Sequence, residues 1–306
     1  MRVSQYTEGP GDVRQRWVGL RVWFWWPEVG WGAWWAALCG SLAAGVFHRL
    51  GGDSVLRLAL VLVVADPLWA NLTHLLCDLS WSVDACAELG ERPPVRPRFL
   101  PYMQPASPGH RIIQWLGQAA AWYRLAFCPQ AGWMLSGLIF CALGIVGIGW
   151  FLGPPALELF GWGIALIVLS LLLPACCPDL SIGARAAAEA GVACLVGYAA
   201  FAPQSASAWG LAVAFAVLYG GALRIAARGV DRTAWLLAVT LLALPAGCAV
   251  LGRNLIAAVL LAGCVFPIWL SGRAASQPTS PRWYLERIGP YVLGLTFLAS
   301  IALGLN

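Results

Sequence analysis

The segment ADPLWANLTHLLCDLSWSVDACAELGERP, residues 65–93, leaves an apolar run and enters an acidic one. Up to Cys77 most side chains are apolar; beyond it come four acids, Asp78, Asp84, Glu88 and Glu91. The polar residues Asn71, His74 and Asp78 are spaced i, i+3, i+7, so they share one face of a helix. Against lipid such a face is costly, which predicts that it points into a helix bundle. Asp66 lies deeper in the run, beside Pro67. The segment therefore predicts a membrane helix that lines a protein interior and ends at an acidic loop.

The rest of the chain fits that solvent. Of 306 residues, 60% are hydrophobic and 11% charged, and the mean hydropathy is +0.74. That balance excludes a soluble globular domain and marks an all-α integral membrane protein. Apolar runs of spanning length fall at about 27–47, 55–77, 131–151, 156–176, 186–202, 207–227, 235–252, 255–271 and 288–305, predicting about nine transmembrane helices. The chain has no Lys and 19 Arg, sixteen of which fall on one side if the nine runs alternate; Arg49, Arg57 and Arg253 fall on the other. By the positive-inside rule the Arg-rich side, with the N-terminus, is cytoplasmic.

No dense basic run exists, which argues against nucleic acid as a partner. The ten Cys are scattered and form no C-x-x-C pair, so they read as small packing residues rather than a zinc or redox site. The first 25 residues lack the order of a signal peptide. Glu158 and Glu189 read as carboxylates near helix starts, favoured by the helix dipole.

The chain reads as one membrane domain, 1–306, with two interfacial regions. Residues 1–26 are Trp-rich, and seven Trp lie between Trp17 and Trp35. They predict a membrane-surface anchor, or a docking surface for a partner or pigment formed by Trp23, Trp25, Trp26 and Trp31. Residues 78–130 form the longest polar stretch; its Pro-rich middle cannot be helical. Within it, 111–128 predicts an amphipathic interfacial helix with Ile112, Leu116, Ala119, Trp122 and Phe127 towards the membrane.

Five stretches in order resemble a known family. WWPEVGWGAWWAALCGSLAAG (25–45) is similar to the opening "KP-x-x-W … W-A-x-x-C-G-x-x-S-G" of bacteriochlorophyll and chlorophyll synthases. Residues 65–93 resemble "AGPL … ND-x-x-D-x-x-x-DA-x-x-E-x-x-RP". AGVACLVGYAAF (190–201) looks like "EGLPWFTG", and RGVDRTAWLLAVTLLALP (228–245) like "GVDRAARL … ALP". SPRWYLERIGPYVLGLTFLASIAL (280–303) is similar to that family's C-terminal stretch. The chain thus resembles the UbiA superfamily of membrane prenyltransferases, which implies a nine-helix UbiA-like bundle with a central cavity.

The family transfers an isoprenoid from its diphosphate to an acceptor such as bacteriochlorophyllide, using two Asp-rich cytoplasmic loops. Two Mg²⁺ ions held by carboxylates neutralise the diphosphate leaving group. This sequence departs from both motifs. Cys77 and Trp81 stand where Asn and Asp belong, and Asp84 comes one residue early; Asp78, Asp84 and Glu88 remain as a relic that would hold one Mg²⁺ at best. After the sixth run the acidic loop is missing; Asp231 matches a later position, and Arg224 and Arg228 occupy the space.

The resemblance with these losses implies a catalytically degenerate accessory or scaffold subunit of a photosynthetic reaction-centre or light-harvesting complex. It would lie in a bacterial cytoplasmic (inner) membrane, among lipids, pigments and partner subunits. Bacteriochlorophyll or an isoprenoid lipid would occupy the cavity, with His74 or His48 as an axial ligand to pigment magnesium, or as hydrogen-bonded interior histidines. Asp66 and Asn71 would line the same cavity. The alternatives are a residual or altered prenyltransferase and an unrelated transporter or scaffold.

Overall fold

The structure, a computed structural model, describes residues 32–49, 51–77, 128–173, 177–230, 233–250, 253–276 and 280–305. The acidic relic Asp78, Asp84 and Glu88, the docking candidates Trp23, Trp25, Trp26 and Trp31, Asp231 and the amphipathic stretch before Cys128 lie outside them. Among the described residues all regular structure is helical.

The helices are α1 (Ala33–Ala43), α2 (Gly52–Cys77), α3 (Cys128–Leu152), α4 (Pro154–Leu172), α5 (Pro178–Ala199), α6 (Ala206–Arg228), α7 (Thr233–Val250), α8 (Asn254–Ser276) and α9 (Pro281–Gly304). Helices α2, α4, α5, α6, α8 and α9 contain stretches long and apolar enough to cross a membrane. Helix α1 and the stretches Ser136–Leu152 and Trp235–Val250 are apolar but shorter. Residues such as Leu143, Trp150, Trp162, Leu172, Val250 and Leu255 are exposed, as expected where lipid is the solvent.

Several helices begin before their apolar runs. Helix α5 starts at Pro178 rather than near 186, because its first turns are polar: Pro178 opens the helix and Asp179 meets its dipole. Helix α9 starts at Pro281, where the Ser280 hydroxyl accepts from the Trp283 backbone N–H at 3.2 Å. Helix α1 stops earlier than its run. Gly45 has φ +75°, a left-handed conformation that Gly tolerates, and a short 3₁₀ turn, Val46–Arg49, follows.

Two apolar clusters meet at α6. Leu211, Ala212, Phe215 and Tyr219 pack with helices α1–α5, while Leu218, Ala222 and Ile225 pack with α7–α9. A close backbone crossing joins α1 to α5. A Cβ on Gly40 would strike the Cys194 carbonyl, and one on Gly197 the Ala37 carbonyl. Between them the Ser41 hydroxyl bonds Ala37 O at 2.9 Å and Gly197 O at 3.2 Å. The CGS sequence at 39–41 is thus a backbone-contact surface.

Contacts at the helix ends group into two faces. On one, Arg57 donates to Ala200 O at 3.4 Å and Arg253 to Leu305 O at 2.6 Å, each supplying a cation to a helix C-terminus. On the other, the end of α2 meets the starts and ends of α4, α5 and α6, and Ser271 bonds Tyr284 at 2.8 Å between α8 and α9.

Candidate functional site

Helices α2 and α5 each contain a wide, π-helical segment: Val64–Ala70 and Ala187–Gly191. Such segments interrupt the regular i to i−4 bonding and frequently occur at functional sites. The two are joined directly. Trp69, fully buried, donates its indole N–H to Ala188 O at 2.8 Å. Its ring packs on Phe160 at 5.1 Å and fills the space left by Gly163 on α4. Thr73, one turn on, returns its hydroxyl to Trp69 O at 2.9 Å.

Beside this joint lies a polar clamp between α2, α5 and α6. Glu189 is only 2% exposed. Its Oε1 accepts the Tyr219 hydroxyl of α6 at 2.6 Å and lies 3.5 Å from Nε2 of His74 on α2. Its Oε2 lies 3.9 Å from Nε of Arg185, one turn earlier on α5. Arg185 Nη2 in turn stands 3.2 Å from His74 Nδ1. A guanidinium has donors only, so Nδ1 accepts and the imidazole proton sits on Nε2, aimed at Glu189. Carboxylate, imidazole, phenol and guanidinium therefore form one network, in which Glu189 Oε2 meets Arg185 at ion-pair distance and makes no hydrogen bond.

An outer tier closes the same end. Asp179 Oδ1 accepts from Arg228 Nη1 at 2.6 Å and lies 3.3 Å from Arg224 Nη1. Cys77 Sγ lies 3.6 Å from the Ser170 hydroxyl, and Ser181 donates to Ser170 O at 2.7 Å, tying α2, α4 and α5. Along α5, Asp179 and Glu189 are ten residues apart, about 15 Å at helical rise. Polar residues thus run from the membrane face to the middle of a spanning helix.

The structure separates residues that the sequence grouped. His74 enters the clamp, but Asn71 turns back on its own helix and donates to Pro67 O at 2.8 Å, beside the π-helical turn. Asp66 is buried in that turn. His48 is exposed in the 3₁₀ turn after α1, next to Gly45 and far along the bundle from His74. Magnesium ligation by His74 would need its one lone pair, which faces Arg185.

Glu189 is the main correction. It is not near a helix start but in the twelfth position of α5, buried and bonded across to α6. The sequence signal is Arg185 and Glu189 at i, i+4, which fall inside one helix once the polar turns from Pro178 are part of it. Glu158 does lie near the start of α4, exposed. Among the described residues no group of three or more His, Cys, Asp or Glu is placed to hold a metal ion.

Fold and site together define an all-helical, multi-pass membrane protein with a buried ionisable clamp. The chain matches no protein-family model, no curated protein and no solved structure.

Proposed function

We propose that this chain is a UbiA-like membrane protein that has lost prenyl transfer and serves as a scaffold subunit. One observation carries this reading. Helix α6 ends at Arg228 and α7 begins at Thr233, so only residues 229–232 connect them. Gly229 at φ +98° ends α6 abruptly. A link of four residues containing one acid, Asp231, has no room for an acidic loop that holds a second metal ion.

The charge balance supports the same conclusion. Arg224 and Arg228, in the last two turns of α6 before that link, meet Asp179, and Arg185 meets Glu189 and His74. Cations committed to carboxylates are poor partners for a diphosphate. Without a second metal's charge stabilisation, transfer would slow by about a thousand-fold or more.

On this reading the nine helices all span, with the N-terminus and the Arg-rich face cytoplasmic. The host is a pigment-bearing photosynthetic complex in a bacterial inner membrane, and lipid, isoprenoid or bacteriochlorophyll fills spaces between the helices. The Trp-rich segment before α1 docks on the neighbouring subunits.

The test is the full chain purified from native membranes. The expected result is a stoichiometric pigment–protein complex and no Mg²⁺-dependent transfer from an isoprenoid diphosphate to a chlorophyllide. Turnover with Mg²⁺ that disappears in Asp78→Ala would instead establish a working transferase. Recovery only as a free monomer without pigment would remove the scaffold role.

A further inference from the structure

Along the helices that face lipid, the residues that mark a membrane boundary recur at nearly one spacing. On α6, Trp209 and Arg224 are fifteen residues apart, and Arg224 meets Asp179 at 3.3 Å in the outer tier. On α7, Trp235 and the helix end at Val250 are fifteen apart. On α8, Asn254 and Trp269 are fifteen apart. On α9, Arg287 and the helix end at Gly304 are seventeen apart. On α4, Glu158 and the helix end at Leu172 are fourteen apart. At helical rise these stretches are about 21–26 Å long.

The ends lie level across neighbouring helices, so they draw two rims. On one rim Arg253, just before α8, donates to Leu305 O, just after α9. Towards the other, Phe266 stacks on Tyr291 with ring centroids 4.6 Å apart, and one turn further out follow Trp269 and Arg287. Trp235 of α7 reaches the same level, since a Cβ on Gly272 of α8 would stand 3.6 Å from its ring. Between the rims Val239, Val259, Leu261, Val265 and Leu298 are exposed. Thr240 returns its hydroxyl to Leu236 O at 2.8 Å.

Trp settles at headgroup level, whereas exposed apolar side chains lie among acyl chains. The apolar belt is therefore about 21–26 Å deep, against about 30 Å for an ordinary hydrocarbon core. Snorkelling by Arg287 or Glu158 does not account for the difference, because the stretches on α7 and α8 have no charged residue at either limit and are as short. Tilt, and kinks at Pro245, Pro267 and Pro290, would shorten the depth further.

We propose that the lipid-facing surface of this protein selects lipids with short acyl chains, and draws a thicker bilayer thin around itself. In a bilayer of ordinary thickness the belt leaves a mismatch of about 4–9 Å, and each ångström carries a modest cost. The inference rests on α4, α6, α8 and α9 crossing the membrane, and not on the loss of prenyl transfer.

For the experiment the full chain is reconstituted in phosphatidylcholine bilayers with monounsaturated chains of fourteen, sixteen, eighteen, twenty or twenty-two carbons. Resistance to denaturant should be greatest at fourteen or sixteen carbons, and the unfolding equilibrium should shift about ten-fold towards the unfolded state by twenty. In lipid nanodiscs with eighteen-carbon chains, electron microscopy should show the two headgroup layers drawing together beside α7–α9. Glu158→Leu extends the apolar stretch of α4 to Pro154, eighteen residues from Leu172. It should let the layers part by about 6 Å beside α4 and leave them unchanged at α7–α9. Greatest stability at eighteen carbons or more, stability independent of chain length, headgroup layers running flat past α7–α9, or no change beside α4 in the variant would each overturn the proposal. Glu158 is exposed, so the substitution leaves the packed interior intact, and an unaltered melting transition in detergent checks that it does.

Discussion

Replacing Tyr219 by Phe tests whether α5 and α6 are held together at mid-membrane by the Glu189 carboxylate. The substitution removes one oxygen, the donor that reaches Glu189 Oε1 at 2.6 Å. What remains at that oxygen is His74 Nε2 at 3.5 Å, a longer contact. Hydrogen bonds between membrane helices average about 0.6 kcal/mol and reach about 1.7, whereas bonds to a charged partner contribute about 1.5–3 kcal/mol. Glu189 is 2% exposed and has an arginine beside its other oxygen, so water cannot replace the phenol. We therefore expect a loss of about 2 kcal/mol, about thirty-fold in the unfolding equilibrium. A double-mutant cycle with Glu189→Leu isolates the pair. Unfolding of all four proteins would be followed in mixed micelles by denaturing-detergent titration. A coupling of about 2 kcal/mol is expected. A coupling at or below about 0.6 kcal/mol, the ordinary value for membrane helices, would refute the argument that this carboxylate clamps α5 to α6.

Gly163→Ala should destabilise by about 2–4 kcal/mol, because the new Cβ falls on the Trp69 indole, 2.6 Å from Cη2, and Trp69 is pinned by its bond to Ala188. Trp69→Phe should offset part of that loss; thermal unfolding in detergent reads both, and an undiminished melting temperature in Gly163→Ala would contradict the joint. Gly197→Ala should prevent the α1–α5 crossing, since Cβ strikes the Ala37 carbonyl and backbone cannot step aside; failure to accumulate a folded protein is expected, with protease resistance as the readout. Asp179→Asn should change stability by less than about 1 kcal/mol, because the Asp179 pairs are about half exposed, yet it should raise the affinity of the cytoplasm-proposed end for inorganic diphosphate by freeing Arg224 and Arg228. Unchanged diphosphate affinity by calorimetry would mean that Asp179 does not neutralise these arginines.

Much of the fold can be read from hydropathy, because lipid demands long apolar helices with every backbone group satisfied. Each of the nine apolar runs contains or overlaps a helix. What hydropathy misses are the polar ends. PDLSIGARA, residues 178–186, looks like loop by composition, yet it is the start of α5 and places Arg185 and Glu189 inside a span. The site was half legible. His74 stands out as a polar residue on an apolar helix, whereas Glu189 looks like a helix-start carboxylate unless the polar turns 178–186 are included in α5. Nothing in the sequence marks the π-helical turn at Ala187–Gly191, which depends on tertiary contact with Trp69. Nor does it reveal that Asn71 caps the Pro67 carbonyl instead of facing a ligand.

The clamp and the proposed loss of chemistry fit one another through charge. A diphosphate carries several negative charges and needs more cations around it than anions. At the α5–α6 end the described charged residues are Arg185, Arg224 and Arg228 against Asp179 and Glu189, three minus two, a surplus of one. Each carboxylate is within reach of a guanidinium on its own helix or the next, so that the charges hold helices together rather than a ligand. For the buried Glu189 network, removing one partner costs far more than exchanging both for apolar residues. Substitutions at a single member are therefore selected against even where nothing is bound, and an ionisable network can persist in a membrane interior after its chemistry is gone.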